Sequence, residues 1–185
     1  MAYTDFYGFI DSTYIKENST LATSFDDEKL LPFIVTAQEK YILPLLGSNL
    51  YNDIQAEVKA FLQSGTPITA NYVSLINNYV KNTLMHYTLY EAVPFLNFNL
   101  TNINVAKKNS EFSQASAVGE VTYIRNIIKS TCQYYADRLE AHLIAEASTK
   151  YPKYYETTSG TDSEPPKGSE TFCGIYLGKS RRKCY

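Results

Sequence analysis

A helical repeat of apolar residues runs through the segment "EVTYIRNIIKSTCQYYADRLEAHLIAEASTK" at residues 120–150. Its apolar members recur at the spacing of one face of an α-helix. They are Val121, Ile124, Ile128, Tyr135, Leu139 and Leu143. A helix of this length extends roughly 45 Å. Because it can bury its apolar face only against other elements, the rest of the chain must fold around it.

Three earlier stretches carry the same period and are expected to form the other helices of a bundle. Their predicted apolar faces are Leu30, Ile34, Ala37, Tyr41 and Leu45 in the first, Leu50, Ile54, Val58, Phe61 and Leu62 in the second, and Tyr72, Ile76, Tyr79, Thr83, Tyr87 and Tyr90 in the third. The sequence therefore predicts an all-α fold, a bundle of about four helices with a short extended insert and a long C-terminal arm.

Local signals set the expected helix ends. Ser24, in a capping box with Asp27, and Thr69 are expected to begin the first and third helices. Gly47, Gly65 and Pro94 are expected to end the three earlier helices, because glycine suits the turn after a helix and proline cannot continue one. Pro32 is expected either to start the regular part of the first helix or to kink it.

The insert at residues 95–109 interrupts the helical pattern. Asparagine disfavours helix interiors, and alternation of apolar and polar residues is the period of a strand. Residues 95–105 carry no charge, although an exposed strand edge is normally protected by charge or proline. The insert either folds as a hairpin against the helices or has its edge covered by another chain, which is the interpretation we favour, and a simple packed connection is the plainer alternative. We expect interface residues here at Phe95, Phe98, Asn99, Leu100 and Asn102.

The chain divides into an N-terminal arm at 1–23, a helical body at 24–155 and a C-terminal arm at 156–185. The C-terminal arm is rich in Pro, Gly, Ser and Thr and has no helical period. Residues 156–171 are expected to act as a tether, and "TFCGIYLG" as a short strand or hook that docks elsewhere. The residues expected to make that contact are Phe172, Ile175, Tyr176, Leu177, Lys179, Arg181, Arg182 and Lys183.

Composition excludes several classes of protein. A net charge of -2 argues against wholesale nucleic-acid binding. No run approaches the roughly 20 apolar residues of a membrane span, and the N-terminus has no secretory pattern. Cys132, Cys173 and Cys184 are too widely spaced for a zinc site or a disulfide framework, so we expect synthesis in a reducing cytoplasm.

No pattern in the sequence predicts catalysis. The nucleotide-binding, hydrolase and zinc-protease motifs are missing from it. His142 lies four residues before Glu146, so a metal site on one helix face is conceivable, but a histidine at the edge of the core is the favoured interpretation for it and for His86. Cys132 is favoured as a buried, inert thiol. The carboxylate pairs, Asp26 with Asp27 and Asp53 with Glu57, are favoured as helix caps or solvated side chains. We therefore expect no cofactor and no enzyme activity.

The order of the elements resembles the helical head-to-tail connector (adaptor) proteins of tailed bacteriophages, most of all those of crAss-like phages. The resemblance rests on "YILPLLGSNLYNDI", "YTLYEAVPFLNFNL" and "YPKYYE" and covers about residues 24–155. It implies a structural virion subunit that assembles in the host cytoplasm into a ring, usually a dodecamer, beneath the portal protein. Such a ring lets DNA pass through its channel without sequence-specific binding and carries further tail or ring proteins. The resemblance also implies that the arm clasps the portal or a neighbouring subunit.

Two other classes of function remain open. A soluble helical regulatory or interaction module would contact nucleic acid through the basic end "KSRRK", with binding that weakens steeply as salt rises. A helical-bundle enzyme or metalloprotein would need His86 or His142 to converge with a carboxylate.

Overall fold

The computed structural model describes residues 7–20, 26–100, 105–107 and 118–156. Its α-helices are α1 Ser12–Asn18, α2 Asp27–Ala37, α3 Leu43–Leu46, α4 Ser48–Ser64, α5 Ala70–Leu75, α6 Lys81–Asn97 and α7 Val118–Lys150. A π-helical turn at Gln38–Ile42 joins α2 to α3, a second at Ile76–Val80 joins α5 to α6, and a 3₁₀ turn at Pro152–Tyr155 follows α7. Over the described ranges the chain thus forms four long helical rods, at 27–46, 48–64, 70–97 and 118–150, together with the short α1. The predicted all-α fold is confirmed.

The helix ends follow the predictions in part. Gly47 and Gly65 adopt positive φ angles of 73° and 71° just after α3 and α4, as expected for glycines that end helices. The cap of α2 is Asp26, whose side chain accepts a hydrogen bond from the Glu28 backbone N–H, while Ser24 lies outside the described residues. Thr69 is the N-cap of α5, but its hydroxyl donates to Glu57 on α4 instead of capping the helix.

Both prolines lie inside helices, which excludes Pro32 as the start of the regular helix and leaves a kink there a prediction. Helix α2 begins at Asp27, so the regular helix starts ahead of Pro32. Helix α6 continues through Pro94 to Asn97. The prediction that Pro94 ends the helix is therefore wrong. Proline within the final turn removes only one backbone hydrogen bond, and so few residues follow that the helix can tolerate it.

Two short strands follow α6 and lie within the predicted insert range. β1 Phe98–Leu100 pairs with β2 Val105–Lys107 in antiparallel register, with Phe98 opposite Lys107 and Leu100 opposite Val105. The partner of β1 is therefore another part of the same chain, and the prediction that this strand pairs with another chain is wrong for the β1–β2 edge. Because residues 95–97 are helical, an extended segment starting at 95 is wrong at its first residues.

The core lies where α2, α3, α4 and the α5–α6 rod meet the second half of α7. Fully buried side chains come from every rod, because each presents one apolar stripe to the centre. They include Leu30, Leu46, Leu50, Ile54, Leu75, Leu84, Leu139 and Leu143. Phe9, Ile10 and Ile15 also belong to this core, so part of the predicted N-terminal arm packs within the body.

Three predicted core residues are exposed instead. Phe61 and Leu62, at the end of α4, and Ile124, in the first half of α7, keep about half or more of their surface in solvent. Their helical spacing was correctly recognised, but no element of the described part of the chain covers them. None of the helices in the described ranges is both long and apolar enough to cross a membrane.

Candidate functional site

One side of the first half of α7 is apolar and exposed to solvent. Tyr123, Ile124, Ile127 and Tyr134, which we call the α7 face, are between 46% and 68% exposed. No residue from 119 to 131 is buried. From Cys132 onward the same helix buries a residue at nearly every turn, ending with Ala147. Half of the longest helix therefore packs in the body, and the other half offers an apolar surface.

Helical geometry makes the α7 face continuous. Positions 123, 127 and 134 are separated by four and seven residues, so at about 100° per residue their side chains fall within one narrow stripe. An aromatic side chain offers about 150–250 Å² of contact area. At the observed exposures the four residues present roughly 400 Å², an extent at which exposed apolar patches mark interaction sites.

A cation–π contact fixes the first half of α7 to α6. The Arg125 guanidinium carbon lies 4.2 Å from the centroid of the Tyr90 ring. Such contacts contribute about 0.5–2 kcal/mol, depending on how far they are desolvated. Arg125 is on a different side of α7 from Tyr123 and Ile127, since neighbouring helix positions differ by about 100°. The contact therefore holds the helix in place while leaving the α7 face open.

Glu91, on the same helix α6 as Tyr90, forms an ion pair and a hydrogen bond with residues of the first π-helical turn. Lys40 Nζ lies 2.8 Å from Glu91 Oε1, and the Tyr41 hydroxyl donates to the same oxygen. The Tyr41 ring stacks on Tyr87 with centroids 3.9 Å apart. Burial opposes ionisation of Glu91, but Lys40, Tyr41 and the more distant Arg125 together hold its pKa below the ordinary value. The network ties α6 to the rod at 27–46.

Farther along α7, a series of ring contacts lies where the α5–α6 rod packs against α7, an interface that we call the seam. His86 stacks on Tyr135 with centroids 4.8 Å apart, and Tyr79 stacks on His142 at 4.0 Å. Tyr72 and Tyr151 continue the series at 6.3 Å. The paired residue numbers rise on one helix as they fall on the other, so the rods run antiparallel. Four of the 17 tyrosines therefore contribute ring contacts to this seam.

A protein-family model described as a family of unknown function (DUF6712) matches residues 42–164, which is more than half of the chain. The chain belongs to this family. The matched range contains the α7 face, the strand pair and the ring contacts of the seam, whereas α1 and α2 precede it. No curated protein and no solved structure matches the chain significantly.

Both histidines of this DUF6712 protein serve in the seam. Burial lowers the pKa of His86. Burial also lowers the pKa of His142, with Lys150 and Arg138 acting in the same direction and Glu146 against it. Glu146 forms an ion pair with Lys150 at 2.9 Å. Within the described ranges, no three potential metal ligands come together.

Cys132 lies at the point where α7 enters the core. It is buried, and burial raises the pKa of its thiol to about 12. The thiol therefore stays protonated near neutral pH, and a protonated thiol is a poor nucleophile. The arrangement gives Cys132 a packing role, as its helical position suggests.

The carboxylates that could have formed an acid–base pair instead join helices. Tyr72 donates to Asp53 Oδ2 at 2.5 Å, and the Thr69 backbone N–H donates to Glu57 Oε2 at 2.8 Å. Burial, reinforced by Asp53, raises the pKa of Tyr72. Asp53 and Glu57 thus fasten the start of α5 to α4, a role that their spacing alone does not predict.

The residues predicted as an interface lie in several places. Phe95 is exposed in the last turn of α6, with its ring centroid 5.3 Å from that of Phe33. The backbone of Phe98, Asn99 and Leu100 forms β1. Residues outside the described ranges are Asn102, Phe172, Ile175, Tyr176, Leu177, Lys179, Arg181, Arg182 and Lys183.

The sequence interpretation missed the α7 face. It assigned Ile124 to the core and gave Tyr123, Ile127 and Tyr134 no role. A usable signal was present, since these residues make the first half of α7 apolar on more than one side. A helix with this pattern must be covered on two sides, and the described part of the body covers only one.

Proposed function

We propose that this DUF6712 protein is a structural subunit of an oligomeric ring that joins the capsid portal to the tail of a tailed bacteriophage and continues the DNA channel. The observation that carries the proposal is the α7 face, an exposed apolar stripe on a helix whose other half completes the core. The proposal also draws on the resemblance of residues 24–155 to connector proteins, and it assigns the protein no chemistry of its own.

A ring subunit needs two different contact surfaces, because each copy binds the next one head to tail. The second surface we propose is made by Phe61 and Leu62 at the end of α4, with Val73 on α5; all three are exposed. The bond from Thr69 to Glu57 brings these helix ends together. The Tyr72–Tyr151 contact places them beside the C-terminal end of α7, which is roughly 40 Å along the helix from Tyr123.

The area of the α7 face fits this role. A standard interface buries about 800 Å² on each partner, so roughly 400 Å² of apolar side chain would supply about half of it. The strand pair adds backbone for further contact, since among the described residues β1 pairs only with β2. Unpaired strand edges readily accept hydrogen bonds from another chain.

The test compares two isoleucines on the same helix. Ile127 lies in the α7 face and Ile144 lies outside it, and each is 49% exposed. We expect Ile127→Asp to weaken assembly of the full chain on the portal protein of the same genome by at least about tenfold, because a charge would be buried in the contact. Ile144→Asp should leave assembly unchanged, and circular dichroism should show both variants folded. Equal effects of the two substitutions on sedimentation of the mixture would contradict the proposal.

A further inference from the structure

A cleft of about 610 Å³ lies between the segment leading into α1, the start of α2 and the start of α6. The apolar part of its lining comes from Ile10, Leu31 and Ile34, and the carboxylates come from Asp11, Asp27 and Glu28. Leu31 is exposed, although it projects from a helix that packs in the core. The N-terminal cleft, as we call it, therefore combines an uncovered apolar surface with an acidic border.

The excess of negative charge extends beyond the lining. Residues 11–29 include five carboxylates (Asp11, Glu17, Asp26, Asp27, Glu28) and two lysines (Lys16, Lys29). Lys16 pairs with Asp27 at 2.7 Å and Lys29 with Asp26 at 3.2 Å. The one cation of the lining, Lys81, lies 5.5 Å from the Tyr14 ring centroid. Even with Lys81 included, carboxylates outnumber cations, so the cleft favours a ligand that is apolar and positively charged.

The chain itself contains one such segment outside the described residues. Residues 1–6 and 21–25 contain no lysine or arginine, residues 101–104 carry no charge, and residues 108–117 carry one lysine and one glutamate. Residues 172–183, "FCGIYLGKSRRK", join four apolar or aromatic side chains to four cations and contain no carboxylate. Among these stretches, only residues 172–183 are both apolar and positively charged, as a ligand of the N-terminal cleft should be.

We propose that the N-terminal cleft binds residues 172–183 of this chain, with the apolar side chains against Leu31 and the basic residues against Asp11 and Glu28. The Asn49 side chain donates to the Glu156 carbonyl at 2.8 Å, which fixes the point where the arm leaves the body. The fifteen residues 157–171 that separate Glu156 from this segment would reach about 50 Å when fully extended. The contact is made within one chain, by the arm on its own body, and it does not depend on the proposed portal function.

Disulfide trapping in the full chain tests the contact. In a Cys184→Ser background, Cys173 is the thiol of the arm, and Leu31→Cys places a second thiol in the cleft. The matched control is Leu62→Cys, because Leu62 is 62% exposed and Leu31 only 39%, so random collision would favour the control. Covalent linkage through those residues, without docking, would give an effective concentration of order millimolar at both positions. We expect diamide to link Cys173 to position 31 at least about ten times faster than to position 62, which corresponds to about 1.4 kcal/mol.

Charge-reversal variants and added salt then show whether the preference for position 31 comes from docking in the cleft or only from the covalent linkage of the arm to the body. Arg181→Glu with Arg182→Glu should remove the preference for position 31, and 1 M salt should reduce it, because the screening length falls to about 3 Å. A non-reducing gel shows whether the link is within one chain or between two; a link within one chain supports the proposal, and a link only between two chains would overturn it. Equal linking at the two positions would overturn it. Preferential linking of Tyr3→Cys, in a Cys173→Ser background, to position 31 would also overturn it, since the N-terminal residues would then fill the cleft.

Discussion

Gln38 connects three parts of the protein through one buried side chain, so its replacement by leucine should be strongly destabilising. Its Oε1 accepts a hydrogen bond from the Phe9 backbone N–H at 2.9 Å, and its Nε2 donates to the Tyr7 carbonyl at 3.2 Å and to the Tyr51 hydroxyl at 3.0 Å. The side chain is fully buried where the first π-helical turn begins. It therefore holds the N-terminal segment and α4 against the rod at 27–46.

The size of the effect follows from what each partner loses. Leucine has a similar volume, so the cavity contribution is small. The Phe9 N–H would be left buried without its partner, which costs about 1–3 kcal/mol. The Tyr7 carbonyl and the Tyr51 hydroxyl would each keep a bond from Gln55, so each loses about 1 kcal/mol or less. We expect Gln38→Leu to lower the free energy of unfolding by about 2–4 kcal/mol, a large part of the 5–15 kcal/mol typical of a domain.

Urea unfolding followed by circular dichroism measures this change. With a slope of about 2 kcal/mol/M, the midpoint should fall by about 1–2 M. Gln55→Leu is the matched control, because Gln55 shares the Tyr7 and Tyr51 partners but does not bond to Phe9. It should cost about 1 kcal/mol or less. A loss below about 0.5 kcal/mol for Gln38→Leu, or an equal loss for both variants, would refute the reasoning.

Three further predictions concern groups whose pKa is shifted by folding. Because folding lowers the pKa of Glu91, its ionised form stabilises the fold at pH values above the ordinary carboxyl pKa, and this stabilisation is lost as the pH falls through the folded pKa. Between about pH 5 and 3 the urea midpoint should therefore drop more for the wild type than for Glu91→Gln. Parallel curves for the two proteins would contradict this. Because folding lowers the pKa of His142, unfolding takes up a proton, and the free energy of unfolding should decline from about pH 7 to 5. His142→Phe should flatten that decline while keeping a ring stacked on Tyr79. Because its pKa is raised to about 12 by burial, Cys132 should resist iodoacetamide in the native protein and react after denaturation, as measured by mass spectrometry of its peptide; equal labelling in both states would refute its buried role.

Local patterns in the sequence were sufficient to predict the helical fold. The periods that predicted Leu30, Ile34, Leu50 and Ile54 as core residues depend only on helix geometry, and the structure buries all four. Gly47 was recognisable for the same reason, since the turn after α3 needs a positive φ. These features are decided within a few residues of the chain, where sequence reasoning is strong.

The features that need distant neighbours were not predictable from the same patterns. Periodicity shows that Ile124 lies on an apolar face but not that the described body leaves that face open. Gln38 looks like an ordinary polar residue in a helix, and its burial follows from the positions of Tyr7, Phe9 and Tyr51, up to 31 residues away in sequence. The self-pairing of β1 with β2 likewise depends on how the chain turns back after α6.

The central proposal, a ring subunit that binds the portal, is tested most directly by native mass spectrometry of the full chain, alone and mixed with the portal protein from the same genome. The account predicts a complex that carries many copies of this chain on each portal ring, and loss of that complex with Ile127→Asp but not with Ile144→Asp. A chain that stays monomeric or dimeric in the mixture, with no mass bound to the portal, would contradict the account.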